Sequence, residues 1–452
     1  MQKPATYRLT ILAFLATLVT GAMVVFQFFQ VFSPSETPVE ARVPDITAEQ
    51  ESLFRSPQSE KAIEAPVPVS ELVGTVFGDQ PGAKRLQLDA FGYGEPPFGD
   101  RLRKEINLIE ENFPGSISLY VSDIKRGYAW GHFEDRLMYL ASGVKLLVMI
   151  EAYRQREEGK LRFTDELFYG PEDLRDGAPD LNRRRVNQYF SVEELLGFMI
   201  SNSDNAAADL LIKRLGVVNI RHNLIEDGFD NIPPIVPLMH VRRHVYEDLD
   251  PRAKNLSAKQ LRAIRWSNGF QPNLGRMRKY IGAPYGQYDY RHMDEAYERY
   301  YLQGSNHLTM RTVGKILEKM VTGQLVSGEA SEAMLERLVQ VWSSGHRIRG
   351  ALKPAIRVAH KTGTQHKRLA DLSVVFMPDK TPLVLTMAVA GGRRQDAERV
   401  MFTLAERIYQ YAWNYSLGLG AAPIDKNHRL AEVLMECRKP QPEGYQGPQV
   451  NP

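Results

Sequence analysis

The sequence has almost no cysteine and little net charge, and each absence excludes a class of protein. Cys437 is the single cysteine among 452 residues, so the chain can form no intrachain disulfide and has no cysteine cluster for zinc or iron–sulfur. The net charge is +3, from 57 basic and 54 acidic residues, which gives no reason to expect a nucleic-acid partner. We therefore expect no metal and no cofactor. Hydrophobic residues make up 43% of the chain, an ordinary share for a protein with a buried core.

Charge is also missing from residues 9–32, near the start of the chain. As a helix, this stretch is long enough to cross a hydrocarbon core of about 30 Å. Lys3 and Arg8 precede it, so the positive-inside rule places residues 1–8 in the cytoplasm and the rest of the chain outside. We predict an uncleaved, single-pass transmembrane signal anchor at 9–32. A cleaved signal peptide is the alternative.

The rest of the chain divides by composition into three parts. Residues 33–97 are rich in Pro, Glu, Ser and Gly, which predicts a flexible extracytoplasmic linker. A folded domain is expected over residues 98–416, beginning with a helical pattern of apolar residues at Leu102, Ile106 and Ile109. Residues 417–452 contain many Pro and Gly and are predicted to be a loose C-terminal tail.

Strand patterns occur at both ends of the folded domain, and helical patterns lie between them. Alternating apolar residues predict strands at 116–121, 127–130, 357–360, 372–376 and 383–390. Helices are predicted at 144–153, after Ser191, at 206–215, 308–321 and 396–415. This order predicts an α+β fold, in which both chain ends form one antiparallel sheet beside a helical region.

Ser142 and Lys145 have the spacing of a nucleophile and its base. A serine hydroxyl is a weak nucleophile at neutral pH and needs a base beside it. Residues three apart on a helix share a face, and a lysine in a semi-apolar place near other cations can lose its proton near pH 7. The free N–H groups at a helix start can also stabilise an oxyanion.

The Ser-x-x-Lys pattern alone is weak, because it is expected about twice by chance in a chain of this length. A second copy runs from Ser122 to Lys125. It lies at a strand end before a turn, so we interpret it as the chance match.

Two rarer motifs follow Ser142 in the chain. Ser203-Asp204-Asn205 and Lys361-Thr362-Gly363 each occur once, whereas each is expected roughly 0.1 times by chance. The first falls in a predicted turn between two helices, and the second is predicted to end a strand. A lysine beside a hydroxyl is suited to bind a carboxylate, and Gly363 would let a substrate strand approach the backbone closely.

Together these motifs resemble the serine β-lactamase and penicillin-binding protein superfamily, and most closely the class A β-lactamase domain, over about residues 98–416. The resemblance implies that Ser142 is the acylated nucleophile, Lys145 its activating partner and Ser203 the proton shuttle to the leaving nitrogen. It also implies the substrate contacts: Asn205 for the amide side chain, Lys361 and Thr362 for the carboxylate, and the backbone N–H groups of Ser142 and Thr364 as the oxyanion hole. The domain would then face the periplasm or the exterior of a bacterium, on the cytoplasmic (inner) membrane.

The pattern departs from class A at the step that removes the acyl group. Class A enzymes carry a glutamate after Ser-Asp-Asn that activates water, four residues before an asparagine. In this sequence Glu247 is the best candidate for that catalytic role and Asp248 the next. Asp250 stands near where the asparagine is expected, and the register is off by one.

A second departure is the long insertion at about residues 250–306, which is rich in tyrosine and arginine. A long insertion beside an active site is often a lid or a surface for a protein partner. A decoration that covers one edge of the domain is the other interpretation, and the sequence does not separate them.

Three functions follow. The first is a class A β-lactamase-type serine hydrolase, acylated at Ser142 by a β-lactam or related amide and deacylated by water. The second is a membrane-anchored D-Ala-D-Ala peptidase or transpeptidase acting on peptidoglycan stem peptides, which needs no deacylating glutamate. The third is a catalytically weak scaffold or binding protein of the same fold, although such a protein has no need of an intact Ser142, Lys145, Ser203 and Lys361 set.

Overall fold

The computed structural model describes residues 93–264, 266–267, 271–341 and 346–419. The predicted anchor at 9–32, most of the predicted linker and most of the predicted tail lie outside these residues. Within the described residues, no helix combines the length and the apolar character needed to cross a membrane.

Five antiparallel strands form the main sheet, in the order β2-β1-β11-β10-β9. These strands are β1 Gly115–Asp123, β2 Tyr128–His132, β9 Arg357–Gln365, β10 Arg368–Phe376 and β11 Pro382–Gly391. Three short pairs lie outside it: β3 Leu137–Tyr139 with β8 His307–Thr309, β4 Glu166–Tyr169 with β5 Gln188–Ser191, and β6 Trp266–Ser267 with β7 Gln271–Pro272. The first and last strands of the described chain therefore share one sheet, as predicted.

Helices surround this sheet on both faces. They are α1 Gly99–Glu110, α2 Lys145–Glu157, α3 Val192–Ser201, α4 Asn205–Leu215, α5 Val217–Glu226, α6 Met239–Leu249, α7 Ala258–Ala263, α8 Leu274–Ile281, α9 Tyr290–Tyr301, α10 Met310–Val321, α11 Gly328–Val339, α12 Ile348–Ala351 and α13 Arg394–Ser416. Short 3-10 turns lie at Ala141–Val144, Pro171–Asp173, Leu181–Arg183 and Pro251–Asn255. The predicted α+β class is confirmed.

Each face of the sheet has its own apolar core, because successive strand residues point to opposite sides. Helices α1 and α13 cover one face, where their apolar residues pack with Leu119 and Met387. The helical region covers the other face, where Tyr120, Leu372 and Val384 belong to the largest buried cluster. Helix α2 is buried nearly all round in this second core, as its continuous apolar run predicted.

The insertion is folded onto the domain through helices α7 to α9. These helices and α6, which precedes the insertion, share a third apolar cluster that also includes Tyr139 and Ala141 beside the predicted nucleophile. The last helix of the insertion holds the turn between β9 and β10: the Tyr301 hydroxyl donates to the His366 carbonyl at 2.8 Å, and the Asp294 carboxylate lies 2.7 Å from the His366 ring. The placement fits a brace at one edge of the domain, and the predicted protein partner stays a prediction.

Candidate active site

Ser142 lies in the 3-10 turn Ala141–Val144, and the α-helix that was predicted to hold it begins only at Lys145. The turn starts with Ala141 at φ 49°, a left-handed conformation that is strained for alanine. Leu140 and Val144 on either side are fully buried. The nucleophile is therefore held on a tight, anchored turn and remains partly exposed while its neighbours are buried.

Lys145 is fully buried and lies at the centre of a polar cluster. Its Nζ donates to Ser142 Oγ at 3.2 Å, to Asn205 Oδ1 at 2.7 Å and to the Ser203 carbonyl at 2.5 Å. Burial lowers the pKa of Lys145 well below its ordinary value, and the Lys361 cation lowers it further against opposing carboxylates. An amine in these surroundings can be neutral and accept the proton of the Ser142 hydroxyl.

Ser203 connects the two lysines of the site. Its Oγ lies 3.1 Å from Lys145 Nζ and 3.0 Å from Lys361 Nζ. Ser203 has φ 59°, so a second strained residue lies in the site. Asp204 holds the turn by accepting the backbone N–H groups of four residues: Asp180, Leu181, Ala206 and Ala207. The last two open helix α4, so Asp204 is its N-cap.

Lys361 approaches the site from β9, an edge strand of the main sheet. The sequence predicted that Lys361-Thr362-Gly363 ends this strand, but β9 continues to Gln365 and pairs with β10 throughout. Burial lowers the pKa of Lys361 to about 7, with Asp371 opposing that change and Arg347 adding to it. Lys361 is therefore a cation that titrates near neutral pH.

Gly363 serves a purpose different from the one predicted. A Cβ built at Gly363 would lie 1.9 Å from the Leu140 carbonyl oxygen and 3.1 Å from the Gly143 nitrogen. The missing side chain therefore allows β9 to pack against the turn that holds Ser142. From the sequence we had predicted that Gly363 lets a substrate strand approach the backbone closely.

These elements border one cleft of about 550 Å³. Its lining residues are Tyr139, Ala141, Ser142, Asp176, Gly177, Pro179, Asn202, Ser203, Asn205, Leu238, Val241, Arg242, Thr362, Thr364 and Gln365. The cleft thus brings together Ser142, Ser203, Asn205, Thr362 and Thr364 of the predicted set, while Lys145, Lys361 and Gly363 are buried directly behind it.

A family model described as the β-lactamase enzyme family matches residues 101–412, which is more than half of the chain. The chain belongs to the β-lactamase enzyme family. This confirms the predicted superfamily of serine β-lactamases and penicillin-binding proteins, and it confirms the prediction of a serine hydrolase at the level of the family.

Individual relatives are distant. A β-lactamase of Rhodobacter capsulatus is 32% identical over 131 residues, which are 29% of this chain and only 44% of that protein. The extended-spectrum β-lactamase PER-1 of Pseudomonas aeruginosa is 22% identical over 284 residues, or 60% of this chain and 74% of that protein. The first match spans less than half of the relative.

Solved structures share the fold at low identity. The structure of PBP-A has a TM-score of 0.53 at 18% identity, covering 71% of this chain and 98% of that one. A mutant class A β-lactamase of the last common ancestor of Gram-negative bacteria has a TM-score of 0.52 at 20% identity, covering 70% and 99%. At these identities the likeness shows the β-lactamase fold alone.

The β-lactamase fold does not bring Glu247 to the cleft. Glu247 lies near the end of helix α6 with its side chain exposed, and it is not among the described residues that line the cleft. Asp248 is exposed beside it and accepts a hydrogen bond from Arg299 at 2.7 Å. Both residues belong to helix α6. Their placement does not support the predicted role in deacylation.

Leu238 and Arg242 line the cleft at the start of α6. Asp209 of helix α4 fixes this wall by accepting the backbone N–H groups of Leu238 at 2.5 Å and Met239 at 3.1 Å. The wall therefore presents an apolar side chain, nine residues before Glu247.

Arg347 is a site residue that the sequence analysis missed. It is 1% exposed and donates to the carbonyls of Gly363 and Ala370 at 2.9 and 3.1 Å, and to Thr364 Oγ1 at 2.7 Å. It therefore holds the cleft end of β9 from behind. Burial lowers its pKa. No pattern in the sequence distinguished it from the exposed arginines nearby.

The second Ser-x-x-Lys copy has a structural role at its serine. The Ser122 Oγ donates to Glu318 at 2.5 Å, and Glu318 is a fully buried carboxylate that also accepts the Tyr120 hydroxyl at 2.8 Å. Ser122 lies within β1 and does not line the cleft. Its interpretation as a chance match agrees with this position.

Proposed function

We propose that this protein is a serine enzyme whose Ser142 is acylated by β-lactams and by related amides that carry a free carboxylate. We propose further that it releases the acyl group slowly. The observation that carries acylation is the Ser142–Lys145 contact of 3.2 Å, with Ser203 between Lys145 and Lys361. An intact nucleophile, base and carboxylate-binding cation argue against the scaffold alternative.

The reaction follows from these positions. Ser142 Oγ attacks the carbonyl carbon while Lys145 Nζ takes its proton, so a C–O bond forms. The backbone N–H groups of Ser142 and Thr364 would stabilise the oxyanion. The C–N bond then breaks as the Ser203 hydroxyl gives a proton to the leaving nitrogen, and Lys145 returns a proton to Ser203. Lys361 and Thr362 would hold the substrate carboxylate.

Slow release rests on the wall made by Leu238 and Arg242. Hydrolysis of the acyl-enzyme needs a base that can activate water. Leu238 has no such group. Burial opposes the charge of Arg242, but the Asp176 carboxylate raises its pKa well above the ordinary value, so Arg242 remains a cation. Asp176 is the single carboxylate among the described residues that line the cleft, and it is paired with Arg242 at 2.7 Å.

The same wall favours a second candidate function. A peptidase or transpeptidase acting on peptidoglycan stem peptides forms the same acyl-enzyme from a peptide bond. A transpeptidase transfers the acyl group to an amine and needs no carboxylate to activate water, because an unprotonated amine is a better nucleophile than water. The wall therefore favours the transpeptidase, since a peptidase also releases the acyl group to water. Efficient β-lactam hydrolysis, the property in the names of the relatives, would instead require that Lys145, Asp176 or a group outside the described cleft activates water.

The test is to mix the enzyme with a chromogenic cephalosporin and to follow hydrolysis by absorbance and the protein by intact mass. We expect one adduct per chain, mapped to Ser142, that persists after the initial burst of cephalosporin ring opening. Ser142→Ala should form no adduct, whereas the matched variant Ser122→Ala should form it at the wild-type rate. An adduct that persists in Ser142→Ala, or none in the wild type, contradicts the proposal.

We also propose that residues 9–32 anchor the enzyme in the cytoplasmic membrane with its domain outside the cytoplasm. The proposal is supported by the uncharged stretch and by the bases that precede it. In a bacterial host, the full chain should remain in the membrane fraction after an alkaline carbonate wash. A chain lacking residues 1–32 should not. Release of the full chain by the wash would contradict anchoring.

A further inference from the structure

The active-site cleft is bordered by charges of both signs. Lys361 lies behind Thr362, which is where the proposed function places the substrate carboxylate. Asp176 is the only acidic side chain among the described residues lining the cleft. A cleft of this kind favours a substrate whose own charges are arranged in the complementary order.

The two oxygens of the Asp176 carboxylate have different surroundings. Oδ2 lies 2.9 Å from Arg242 Nε and 2.7 Å from Arg242 NH2. Oδ1 has no hydrogen-bond partner in the described part of the chain, and the side chain is 14% exposed. One oxygen is therefore held by the wall, and the other is open to a ligand in the cleft.

The Arg242 cation is directed into the wall. Its guanidinium donates to Asp176, to the hydroxyl of the fully buried Tyr297 and, at 3.5 Å, to Gln365 Oε1. Its side chain is only 8% exposed. Arg242 thus positions Asp176 and offers little of its charge to an anionic ligand.

Asp176 lies on the side of the cleft that receives the acyl group. Its backbone carbonyl accepts from Asn205 Nδ2 at 2.9 Å, and Asn205 is the residue expected to hold the amide of the acyl side chain. A Cβ at Gly177 would lie 2.6 Å from Asn205 Nδ2, so this loop packs tightly against Asn205. Beyond the rim, Asp180 accepts from Asn202 at 3.2 Å and adds a second negative charge.

We infer that the cleft selects acyl groups that carry a cationic ammonium group close to the scissile amide, with Asp176 Oδ1 as its acceptor. The inference rests on the proposed function. The preferred substrate is then zwitterionic, with its carboxylate bound by Lys361 and its ammonium bound by Asp176. Asp176 would determine specificity without a part in bond breaking.

Three penicillins that differ at one position test this inference. Their side chains are phenylacetyl, α-aminophenylacetyl and α-carboxyphenylacetyl, so they are neutral, cationic and anionic on the acyl side. The readout is the second-order rate of adduct formation on Ser142 at pH 6.5, by intact mass. We expect the amino compound to react about tenfold faster than the neutral one, the usual effect of one hydrogen bond to a charged group, and the carboxy compound to react slowest.

Two further measurements test whether the contact between Asp176 and the ammonium group causes the preference. Asp176→Asn should bring the amino and neutral compounds to the same rate, while Glu172→Gln, an exposed carboxylate in the same segment, should keep the wild-type ratio. Raising the pH to 9 should also abolish the preference, because an α-amino group loses its proton near pH ~7.7–8.0.

Equal rates for the three compounds in the wild type, or a preference for the carboxy compound, would overturn the inference and leave acylation of Ser142 standing. No adduct with any of the three would refute the proposed function, and this inference with it. The wild-type ratios decide the matter even if Asp176→Asn does not fold.

Discussion

A Cβ at Gly363 would lie 1.9 Å from the carbonyl oxygen of Leu140. Leu140 precedes the turn that holds Ser142, and Gly363 lies in the strand that carries Lys361. The nucleophile turn and the carboxylate-binding strand can therefore be this close only if residue 363 has no side chain.

Gly363→Ala should push these two elements apart. Overpacking of a buried site costs about 1–3 kcal/mol, and a displaced β9 would misplace Thr362 and Thr364. We expect the free energy of unfolding in urea to fall and the adduct on Ser142 to form much more slowly. The control is Gly197→Ala in helix α3, where the new methyl group meets open space. Alanine should raise helix stability there, by roughly 0.5–1 kcal/mol. If Gly363→Ala and Gly197→Ala had the same free energy of unfolding and the same rate of adduct formation, the role of Gly363 would be contradicted.

The insertion should contribute stability through the Tyr297–Arg242 contact. Tyr297 is fully buried, so Tyr297→Phe leaves the Arg242 guanidinium short of an acceptor with no water to replace it. We expect a loss of about 1–3 kcal/mol in the free energy of unfolding. Tyr285 is 96% exposed in the same insertion, and Tyr285→Phe should change it by less than about 0.5 kcal/mol. If both variants unfold like the wild type, the insertion does not brace the cleft wall.

Acylation by carboxylate-bearing β-lactams should weaken as the pH rises through about 7, the pKa to which burial lowers Lys361. Above this pH Lys361 loses the charge that attracts the carboxylate. The measurement is the second-order rate of adduct formation between pH 5.5 and 9. Lys361→Arg keeps its charge over this range and should lose the alkaline fall even if it reacts more slowly. A wild-type rate that rises steadily to pH 9 would contradict this assignment.

The lowered pKa of Lys361 should affect stability in the direction opposite to its effect on acylation. The unfolded chain has Lys361 at its ordinary value of 10.5, so between pH 7 and 10 the unfolded state binds more protons than the folded state. The free energy of unfolding should therefore rise with pH over this window, relative to Lys361→Met. A difference that does not rise with pH would mean that Lys361 is charged in the folded protein.

The fold was largely predictable because its signals are local. Apolar alternation indicated β1, β10 and β11, and Ser191 with Glu194 forms the capping box that opens α3. Leu308 was assigned to a helix but lies in β8, since α10 begins two residues later at Met310 with Thr309 as its N-cap. An apolar residue just before a helix gives no local sign of strand pairing.

The site was predictable where a motif named it and not where tertiary packing made it. Ser142, Ser203 and Lys361 were found because three motifs occur in order. Leu238 and Arg347 were missed, because an apolar residue and an arginine have no pattern of their own and reach the site only through the contacts of Asp209 and Gly363. Glu247 was chosen for its charge, which the helix directs to solvent.

The most direct test of the account is the lifetime of the acyl group on Ser142 when Leu238 is replaced by glutamate. Leu238→Gln is the matched control, because it has the same shape as the glutamate and lacks the carboxylate. Each protein is acylated with a chromogenic cephalosporin, freed of excess reagent and followed by intact mass over time. We predict a persistent adduct in the wild type and in Leu238→Gln, and a loss at least about tenfold faster in Leu238→Glu, as expected when a general base is added. A wild-type adduct that disappears as fast as that of Leu238→Glu would contradict the claim that this wall limits deacylation.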